Sequence, residues 1–413
     1  MGFSIKKFLK KATFLGKKND SIFYKKKSIL ETMMKKNLMT PALKELFGLL
    51  DGQVYFVGGA VRDVLMARSV HDIDLTTPLT PAQVQDYLKN TDIHIHPTGI
   101  EHGTLTLVLS DKKTVEITSF RCDVETNGRR AKVAFGKDIR QDAFRRDFTI
   151  NALYMDANGQ ILDFVGGLKD LKKRRLRFIG EPEKRIKEDA LRILRYFRFY
   201  AQLDIKKADL SAIKACRQGR SLLDVLSKER IRDEVFKLLA TKNPQKALHF
   251  MARTGVLRKI VGQYDLSKLK FLLKKEKQAG FQTDSLFRLW ILCGGNLPDW
   301  PLTKNQKKQI SLWNAGINMT FKNKRDYCEI LYKLGKEAFL NLILLKKEKM
   351  SFTAFQFYNS LEVPILPFNA KDVAKIFHVE GNKIGEKMKF CEDIWLKIGC
   401  PIKKEVVFKK ILG

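Results

Sequence analysis

Three carboxylates in the first third of the chain have the types and spacing needed for metal-assisted chemistry. Asp72 and Asp74 lie two residues apart in a segment predicted to be extended, so both side chains project from one face. Two like charges held together need a cation, and Mg²⁺ typically binds one or two carboxylates together with the phosphates of a substrate. Glu116, on a later predicted strand, is the candidate third acid. Although an isolated pair of acids at this spacing is usually a solvated turn, this set predicts an in-line displacement in which metal ions activate a hydroxyl and stabilise a leaving pyrophosphate.

A pair of glycines precedes these acids. Gly58 and Gly59 follow the apolar run at 54–57 and begin a predicted short helix that carries Arg62 in its first turn. A helix N-terminus offers backbone N–H groups, and glycine lets phosphate oxygens approach closely. Arg62 would add a charge-assisted contact. On its own, such a glycine pair usually serves only the backbone conformation of a turn. Together with the acids, it predicts a phosphate-binding turn.

The elements that must position these residues change in character along the chain. Between about 50 and 178, short apolar runs are broken by Gly, Pro and Asp, which predicts strands with intervening helices; the clearest strands are at 54–57, 105–109 and 114–118. From about 183 onward the apolar period is 3.6, which predicts helices to the end, with breaks at 293–301 and 363–368. Gly180 and Pro182 mark the junction. The predicted fold class is therefore α+β, with a mixed β-sheet in an N-terminal head and an all-helical remainder.

Bulk composition indicates a globular protein with a polyanionic partner. The chain has 413 residues, enough for two or three domains, and its 78 Lys and Arg against 45 Asp and Glu give a formal charge of +33. The basic excess extends through both halves, which favours nucleic acid over a membrane surface, and no apolar run is long enough to span a membrane.

The cysteines and the N-terminal segment indicate the compartment. Six cysteines are widely spaced without a CxxC pair, so neither a zinc site nor a disulfide framework is predicted, and a reducing cytosol fits. The first 36 residues hold eleven lysines and only two acids, and they lack the apolar core of a secretory signal. They are interpreted as a basic arm. Mitochondrial import stays open as an alternative, although transit peptides favour Arg and the basic residues of this segment are all Lys.

A set of short motifs occurs in a fixed order along the chain. They are GGAVRD at 58–63, the Asp72 and Asp74 pair, GIEHGT at 99–104, EITSFR at 116–121, RRDFTINA at 145–152 and EDALR at 188–192. In this order they resemble the class II tRNA nucleotidyltransferases of the tRNA nucleotidyltransferase/poly(A) polymerase family. The resemblance is strong over 50–240 and weaker over 363–413. It implies a polymerase β-like nucleotidyltransferase head followed by a helical neck, body and tail.

The resemblance also implies roles for individual residues. Asp72 and Asp74 match the metal ligands and Glu116 a family carboxylate. The positions that match nucleotide-binding residues are Gly58, Gly59, Arg62, Arg145, Arg146, Asp147, Asp189, Arg192, Arg195 and Arg198. The segment 121–143 resembles a flexible loop thought to influence the switch from C to A addition, and its candidate site residues are Arg121, Asp123, Arg129 and Arg130.

The pair formed by Asp189 and Arg192 has a physical interpretation of its own. Three residues apart on a predicted helix, the two side chains share a face, separate from an apolar stripe that belongs to the core. Cytosine and adenine each present an amino donor beside a ring-nitrogen acceptor, which an Asp acceptor and an Arg donor match, whereas uracil and guanine reverse that order. The alternative is a surface salt bridge worth a few tenths of a kcal/mol.

These features lead to one functional hypothesis and to alternatives. The leading hypothesis is a cytoplasmic enzyme that adds C, C and A from CTP and ATP to the 3′ end of tRNA, using Mg²⁺. The alternatives are a bacterial-type poly(A) polymerase, a CC-adding or A-adding enzyme, and a non-catalytic RNA-binding homologue. No membrane partner and no particular oligomeric state are predicted. The expected domains are a basic extension at 1–36, the head at 37–178, a neck and body with the nucleotide-selecting helix at 179–270, and a tRNA-binding body and tail at 271–413.

Overall fold

The chain divides into two compact units. The computed structural model describes residues 38–70, 72–97, 99–122, 134–347, 349–400 and 403–412. One unit comprises the residues up to Arg185 together with Ile205–Ala212, and the other comprises Ile186–Asp204 and the chain from Ile213 onward. The first contains a mixed β-sheet and the second is helical, so the predicted α+β fold class is confirmed.

The first unit alternates short strands and short helices. Its strands are β1 (Tyr55–Val57), β2 (Asp74–Thr77), β3 (His94–His96), β4 (Thr104–Val108), β5 (Thr114–Ser119), β6 (Arg121–Cys122), β7 (Ala134–Phe135), β8 (Leu153–Met155) and β9 (Ile161–Asp163). Its helices are α1 (Pro41–Leu49), α2 (Gly59–Leu65), α3 (Pro81–Leu88), α4 (Ile139–Arg145) and α5 (Gly167–Lys172), with 3₁₀ turns at Ile100–His102 and Thr149–Asn151. The strands predicted at 54–57, 105–109 and 114–118 are confirmed by β1, β4 and β5.

The sheet brings distant parts of the sequence side by side. Its strand order is β3-β4-β5-β2-β1-β8-β9, and β2 and β5 run parallel while every other neighbouring pair within it is antiparallel. Alternate residues of β4 and β5 are buried, the pattern of a strand with one face on a core. The core on that face includes Phe56, which packs on Phe47 of α1 with ring centroids 4.8 Å apart. The opposite faces of β2 and β5 stay accessible near the start of β2.

The second unit is built from amphipathic helices. The helices that follow α5 are α6 (Pro182–Glu188), α7 (Leu191–Gln202), α8 (Leu210–Gln218), α9 (Lys228–Leu239), α10 (Gln245–Arg253), α11 (Val256–Val261), α12 (Leu266–Ala279), α13 (Ser285–Leu292), α14 (Lys304–Gly316), α15 (Lys324–Lys346), α16 (Phe352–Ser360), α17 (Ala370–Phe377), α18 (Asn382–Lys397) and α19 (Lys404–Leu412). A 3₁₀ segment, Gly219–Val225, precedes α9. The predicted breaks at 293–301 and 363–368 lie between helices.

Side-chain caps explain where several of these helices begin. Ser227, Thr303 and Asn369 each accept a hydrogen bond from a backbone N–H in the first turn of α9, α14 and α17, respectively. Long α15 is interrupted at Gly335, whose φ of 79° and ψ of 169° are not helical. In the described part of the chain, none of the helices is apolar over a length that would cross a bilayer.

The cysteines are free thiols where the structure describes their side chains. Cys216, Cys293, Cys328, Cys391 and Cys400 form no disulfide. Burial raises the pKa of Cys293 to about 12, so this thiol stays protonated at neutral pH.

Candidate active site

Two of the three candidate carboxylates lie on adjacent strands, and the third lies just before one of them. Asp74 is the first residue of β2, and Asp72 precedes the strand by two residues rather than belonging to it; both are exposed. Because β2 and β5 are parallel neighbours with Asp74 opposite Glu116, these two side chains point to the same face of the sheet. Glu116 is exposed, whereas its neighbours Val115 and Ile117 are buried in the core. The sheet therefore presents Asp74 and Glu116 to solvent side by side, with Asp72 close by in the chain.

The donor set of this face fits a divalent cation that is shared with a substrate. Among the described residues, no three His, Cys, Asp or Glu side chains are grouped closely enough to form a protein-only metal site. Mg²⁺ does not require one, because it keeps several waters and usually binds one or two carboxylates plus substrate phosphates. Exposed carboxylates such as Asp72 and Asp74 suit that mode of binding. Their roles as metal ligands, and that of Glu116, stay predictions.

The predicted glycine turn leads directly from β1 into α2. Gly58 adopts φ 68° and ψ −119°, a backbone conformation that L side chains rarely adopt, and it is held by hydrogen bonds from its N–H to the Leu153 carbonyl and from the Arg62 N–H to its own carbonyl, both 3.1 Å. The backbone conformation of this turn therefore requires glycine at position 58. The first N–H groups of α2 have no partners within the helix itself, as at any helix N-terminus.

Arg62 is buried within a polar cluster beneath this turn. Its guanidinium donates to both carboxylate oxygens of Asp63 at 3.0 Å and to Oδ1 of Asn151 at 2.7 Å, and the residue is only 4% exposed. Asn151 in turn donates to Asp147, which also accepts from the Phe148 N–H. A buried guanidinium needs such partners because an unpaired charge away from water is costly. The structure therefore places Arg62 and Asp147 in one network, and their contact with a nucleotide stays a prediction.

Arg146 belongs to a second polar cluster, in which Asp142 and Tyr154 are buried and Arg146 is partly exposed. It donates to Oδ2 of Asp142 at 2.9 and 3.1 Å and to the Tyr154 hydroxyl at 3.0 Å, and that hydroxyl donates to the same carboxylate at 2.7 Å. Burial, together with the Asp142 charge, raises the pKa of Tyr154 above its ordinary value although Arg146 opposes the shift, so the phenol stays protonated. Burial by itself lowers the pKa of Arg146, but Asp142 and Tyr154 raise it by more, so the net shift is upward. This arginine is consequently a fixed cation.

The remaining head residues are placed around these clusters. The Arg185 guanidinium donates to the Arg146 carbonyl at 2.8 Å and also to the carbonyl of Arg145. The Arg121 N–H donates to Asp142 at 3.4 Å, and burial lowers the pKa of Arg121 from its ordinary value while Asp142 opposes the shift. The predicted loop residues Asp123, Arg129 and Arg130 lie outside the described residues, as do residues 1–36.

In the second unit, the predicted pair Asp189 and Arg192 is not joined in a salt bridge. Arg192 donates to Glu188 at 2.6 Å, and Asp189 is held by Nη2 of Arg230, 3.3 Å from Oδ1 and 3.2 Å from Oδ2. The prediction that Asp189 and Arg192 lie on the same helix is wrong, because α6 ends at Glu188 and α7 begins at Leu191. Asp189 accepts a hydrogen bond from the Leu191 N–H at 3.0 Å instead. The alternative of an Asp189–Arg192 surface salt bridge is thereby excluded.

Arg195 and Arg198 both face a buried carboxylate. Nε of Arg198 lies 3.0 Å from Glu234 of α9, and Nη1 of Arg195 lies 3.9 Å from the same residue. Both guanidinium groups also lie over the Phe199 ring, at 4.3 Å for Arg198 and 5.4 Å for Arg195. Glu234, only 5% exposed, is neutralised by these arginines. Their predicted contact with a nucleotide stays a prediction.

Several residues of these clusters were not identified from the sequence. They are Asp142, Asn151, Tyr154, Glu234 and Arg230. The available signal was a polar residue inside an apolar run, as for Asn151 in FTINAL at 148–153. Glu234 and Arg230 carry no local signal, because their partners are distant in sequence, whereas Asp142 lies only four residues before its partner Arg146.

Comparison with known proteins agrees with this architecture. Residues 54–177 match the family described as the poly A polymerase head domain, and residues 203–265 match a probable RNA and SrmB-binding site of polymerase A. The chain is 39% identical to a CCA-adding enzyme of Bacillus pumilus over 58% of each protein, and 29% identical to the mouse mitochondrial CCA tRNA nucleotidyltransferase 1 over 91% of each. A crystal structure of the Bacillus stearothermophilus CCA-adding enzyme in complex with CTP superposes with a TM-score of 0.68 at 26% identity, covering 90% of this chain and 98% of that one. The chain matches only 48–62% of the length of the first bacterial relatives.

The mixed sheet with its carboxylates and the helical second unit define a nucleotidyltransferase-type head followed by helical domains. By these matches the chain is similar to CCA-adding enzymes of the tRNA nucleotidyltransferase/poly(A) polymerase family. Enzymes of this family generally require a divalent metal ion.

Proposed function

We propose that this chain adds C, C and A, in that order, to the 3′ end of tRNA from CTP and ATP without a nucleic-acid template. The observation that carries the proposal is the pairing of Asp74 with Glu116 on the accessible face of the head, with Asp72 beside them. The names of the similar proteins, CCA-adding enzyme and CCA tRNA nucleotidyltransferase, support the same activity. In each addition the 3′ hydroxyl oxygen bonds to the α-phosphorus of the nucleotide, and the bond to pyrophosphate breaks.

The carboxylates of the head would hold the metal for this step. We assign the metal as Mg²⁺, with Asp72 and Asp74 as its ligands and Glu116 as a supporting acid. When bound, such an ion activates the hydroxyl and neutralises charge on the phosphates. The chain's own contribution is to keep these oxygens at one face of a rigid sheet, because an element packed on a core positions a site more exactly than a loop does.

Nucleotide selection would fall to Asp189 and Arg192. A carboxylate accepts from the exocyclic amine of cytosine or adenine, while a guanidinium donates to the adjacent ring nitrogen. Uracil and guanine would leave these groups unpaired, an error that costs about 1–3 kcal/mol for each buried group. In the structure each of the two side chains has its own oppositely charged partner, Glu188 for Arg192 and Arg230 for Asp189.

The tRNA partner is supported by charge and by the helical region. The Lys and Arg side chains behind the formal charge of +33 would contact the phosphate backbone of tRNA. Residues 203–265 match a probable RNA-binding region. We assign neck and body roles to 179–270 and tRNA binding to 271–413. The free thiols suit a reducing compartment, and we propose the cytoplasm.

An addition assay tests the proposed function directly. Purified protein, given Mg²⁺, CTP, ATP and tRNA transcripts that lack their last three nucleotides, should add three residues and stop, as resolved on a sequencing gel. Open-ended tailing with ATP alone would identify a poly(A) polymerase instead. Arrest after two C residues, or addition of A only to tRNA that already ends in CC, would identify the partial activities. No extension of any RNA would contradict the catalytic function.

Replacement of Arg192 by alanine should relax the choice of nucleotide. Loss of its donors removes an interaction that distinguishes the ring nitrogens of C and A from the N–H of U and G. We expect the ratio of kcat/KM for CTP over UTP to fall about 10- to 100-fold. Arg217→Ala is a matched control, because Arg217 is an exposed arginine of α8 in the same helical unit. Unchanged discrimination in Arg192→Ala would contradict its role in base selection.

A further inference from the structure

We infer that Arg230 is the positioning residue for Asp189 in nucleotide selection, an inference that rests on the proposed function. Arg230 lies in the first turn of α9, some forty positions along the chain from Asp189. Both hydrogen bonds that its guanidinium makes to described residues go to the Asp189 carboxylate, at 3.2 and 3.3 Å. Through these two contacts Arg230 would act on base selection by fixing the Asp189 carboxylate.

The geometry around Asp189 shows what Arg230 contributes. Among the described residues, Oδ1 accepts from the Leu191 N–H and from Arg230, whereas Oδ2 accepts from Arg230 alone. Because a carboxylate oxygen can accept two hydrogen bonds, Oδ2 retains a position for one more donor. The side chain of Asp189 is 35% exposed, so that position can be reached from outside. Oδ2 is therefore the oxygen that would accept the exocyclic amine of cytosine or adenine.

Loss of Arg230 would free this carboxylate to rotate. Terminal torsions of Asp are broad, so the Leu191 N–H alone would not fix the plane of the carboxylate. A rotating acceptor distinguishes an amine from a carbonyl oxygen less sharply than a fixed one, because preorganisation is lost. Glu188 makes the equivalent contact with Arg192, at 2.6 Å. Each base-reading side chain would thus be oriented by a partner of opposite charge.

The ion pair itself contributes little to stability. Arg230 and Asp189 are 50% and 35% exposed, and pairs with such access to water are worth about 0–1 kcal/mol. Arg230→Ala should therefore fold normally. A loss of nucleotide discrimination without a loss of stability would therefore indicate a positioning role and not a structural one.

The test measures discrimination between nucleotides in Arg230→Ala, Arg230→Lys and a matched control. Lys228→Ala serves as the control, because Lys228 lies on the same turn of α9 and pairs with an exposed carboxylate, Asp299, at 2.6 Å. For each variant, kcat and KM are determined with CTP, ATP, UTP and GTP on tRNA transcripts, alongside tRNA affinity at fixed salt and Tm. Arg230→Ala should lower the preference for CTP over UTP about five- to tenfold, while tRNA affinity and Tm stay near those of Lys228→Ala.

Arg230→Lys should recover most of the lost preference, since it restores the charge beside Asp189. An equal loss of activity with all four nucleotides, or a fall in tRNA affinity that accounts for the whole effect, would overturn the positioning role. Unchanged discrimination in Arg230→Ala would overturn it as well. Failure of the wild-type protein to extend tRNA would instead refute the proposed function, and the two results are therefore distinguishable.

Discussion

Replacement of Asp72 or Asp74 by asparagine is expected to lower the rate of nucleotide addition about 1000-fold. Each substitution keeps the shape of the side chain and removes the negative charge that would hold a divalent ion. If the ion supplies about 4 kcal/mol of transition-state stabilisation, its loss corresponds to roughly three factors of ten in rate. Both side chains are exposed, and surface substitutions usually change stability little, so the fold should persist.

Single-turnover kinetics with saturating tRNA and CTP would measure this effect, since they report the transfer step apart from product release. Asp86→Asn is the matched control, because Asp86 is an exposed acid on α3 in the same unit. The affinity for tRNA at fixed salt should change little in any of these variants. Activity within a few-fold of wild type in both Asp72→Asn and Asp74→Asn would contradict the metal assignment. The activity of Glu116→Gln would not alter that conclusion, because Glu116 is assigned as a supporting acid.

Replacement of Arg288 by alanine is expected to destabilise the helical unit by about 3–5 kcal/mol. Arg288 of α13 is 1% exposed, and its guanidinium pairs with Glu276 of α12, with Nε 3.0 Å from Oε1. It also donates to the carbonyl of Leu239, the last residue of α9, and to that of Thr241, which follows the helix, the latter at 2.7 Å. Removal of the arginine would leave a buried carboxylate and two buried carbonyls without these donors. The penalty arises from the partners left behind, because a buried pair kept intact need not stabilise a fold.

Thermal and urea denaturation, followed by circular dichroism, would measure this loss. For a unit of this size, a penalty of 3–5 kcal/mol corresponds to a fall in Tm of roughly 6–20 °C. Lys333→Ala is the control, since it breaks an exposed pair with Glu329 on α15 and should cost less than about 1 kcal/mol. Similar Tm values for Arg288→Ala and Lys333→Ala would show that the Arg288 cluster does not hold these helices together.

The sequence was sufficient for features that depend on near neighbours. Alternating apolar residues predict β4 and β5, a 3.6-residue period predicts the helical second unit, and Gly58 at the end of β1 predicts a turn that its φ of 68° confirms. Such signals are local because strand and helix periodicities are properties of a few consecutive residues. The prediction that failed was also local. Asp189 was placed on a continuous helix, but aspartate favours helix ends, where its side chain accepts from backbone N–H groups.

By itself, then, the sequence determined the kinds of secondary structure, the presence of the acids and the basic character that calls for a polyanion. Tertiary structure alone decided which of these residues meet. Asp74 faces Glu116 because two strands about forty residues apart pair in parallel, and Arg230 of α9 reaches Asp189, which lies between α6 and α7, over a similar distance along the chain. Local periodicity carries no information about such register, since strand pairing and helix packing are set by burying apolar faces against each other across the fold. The same holds for Arg62, whose buried partner Asn151 lies 89 positions away.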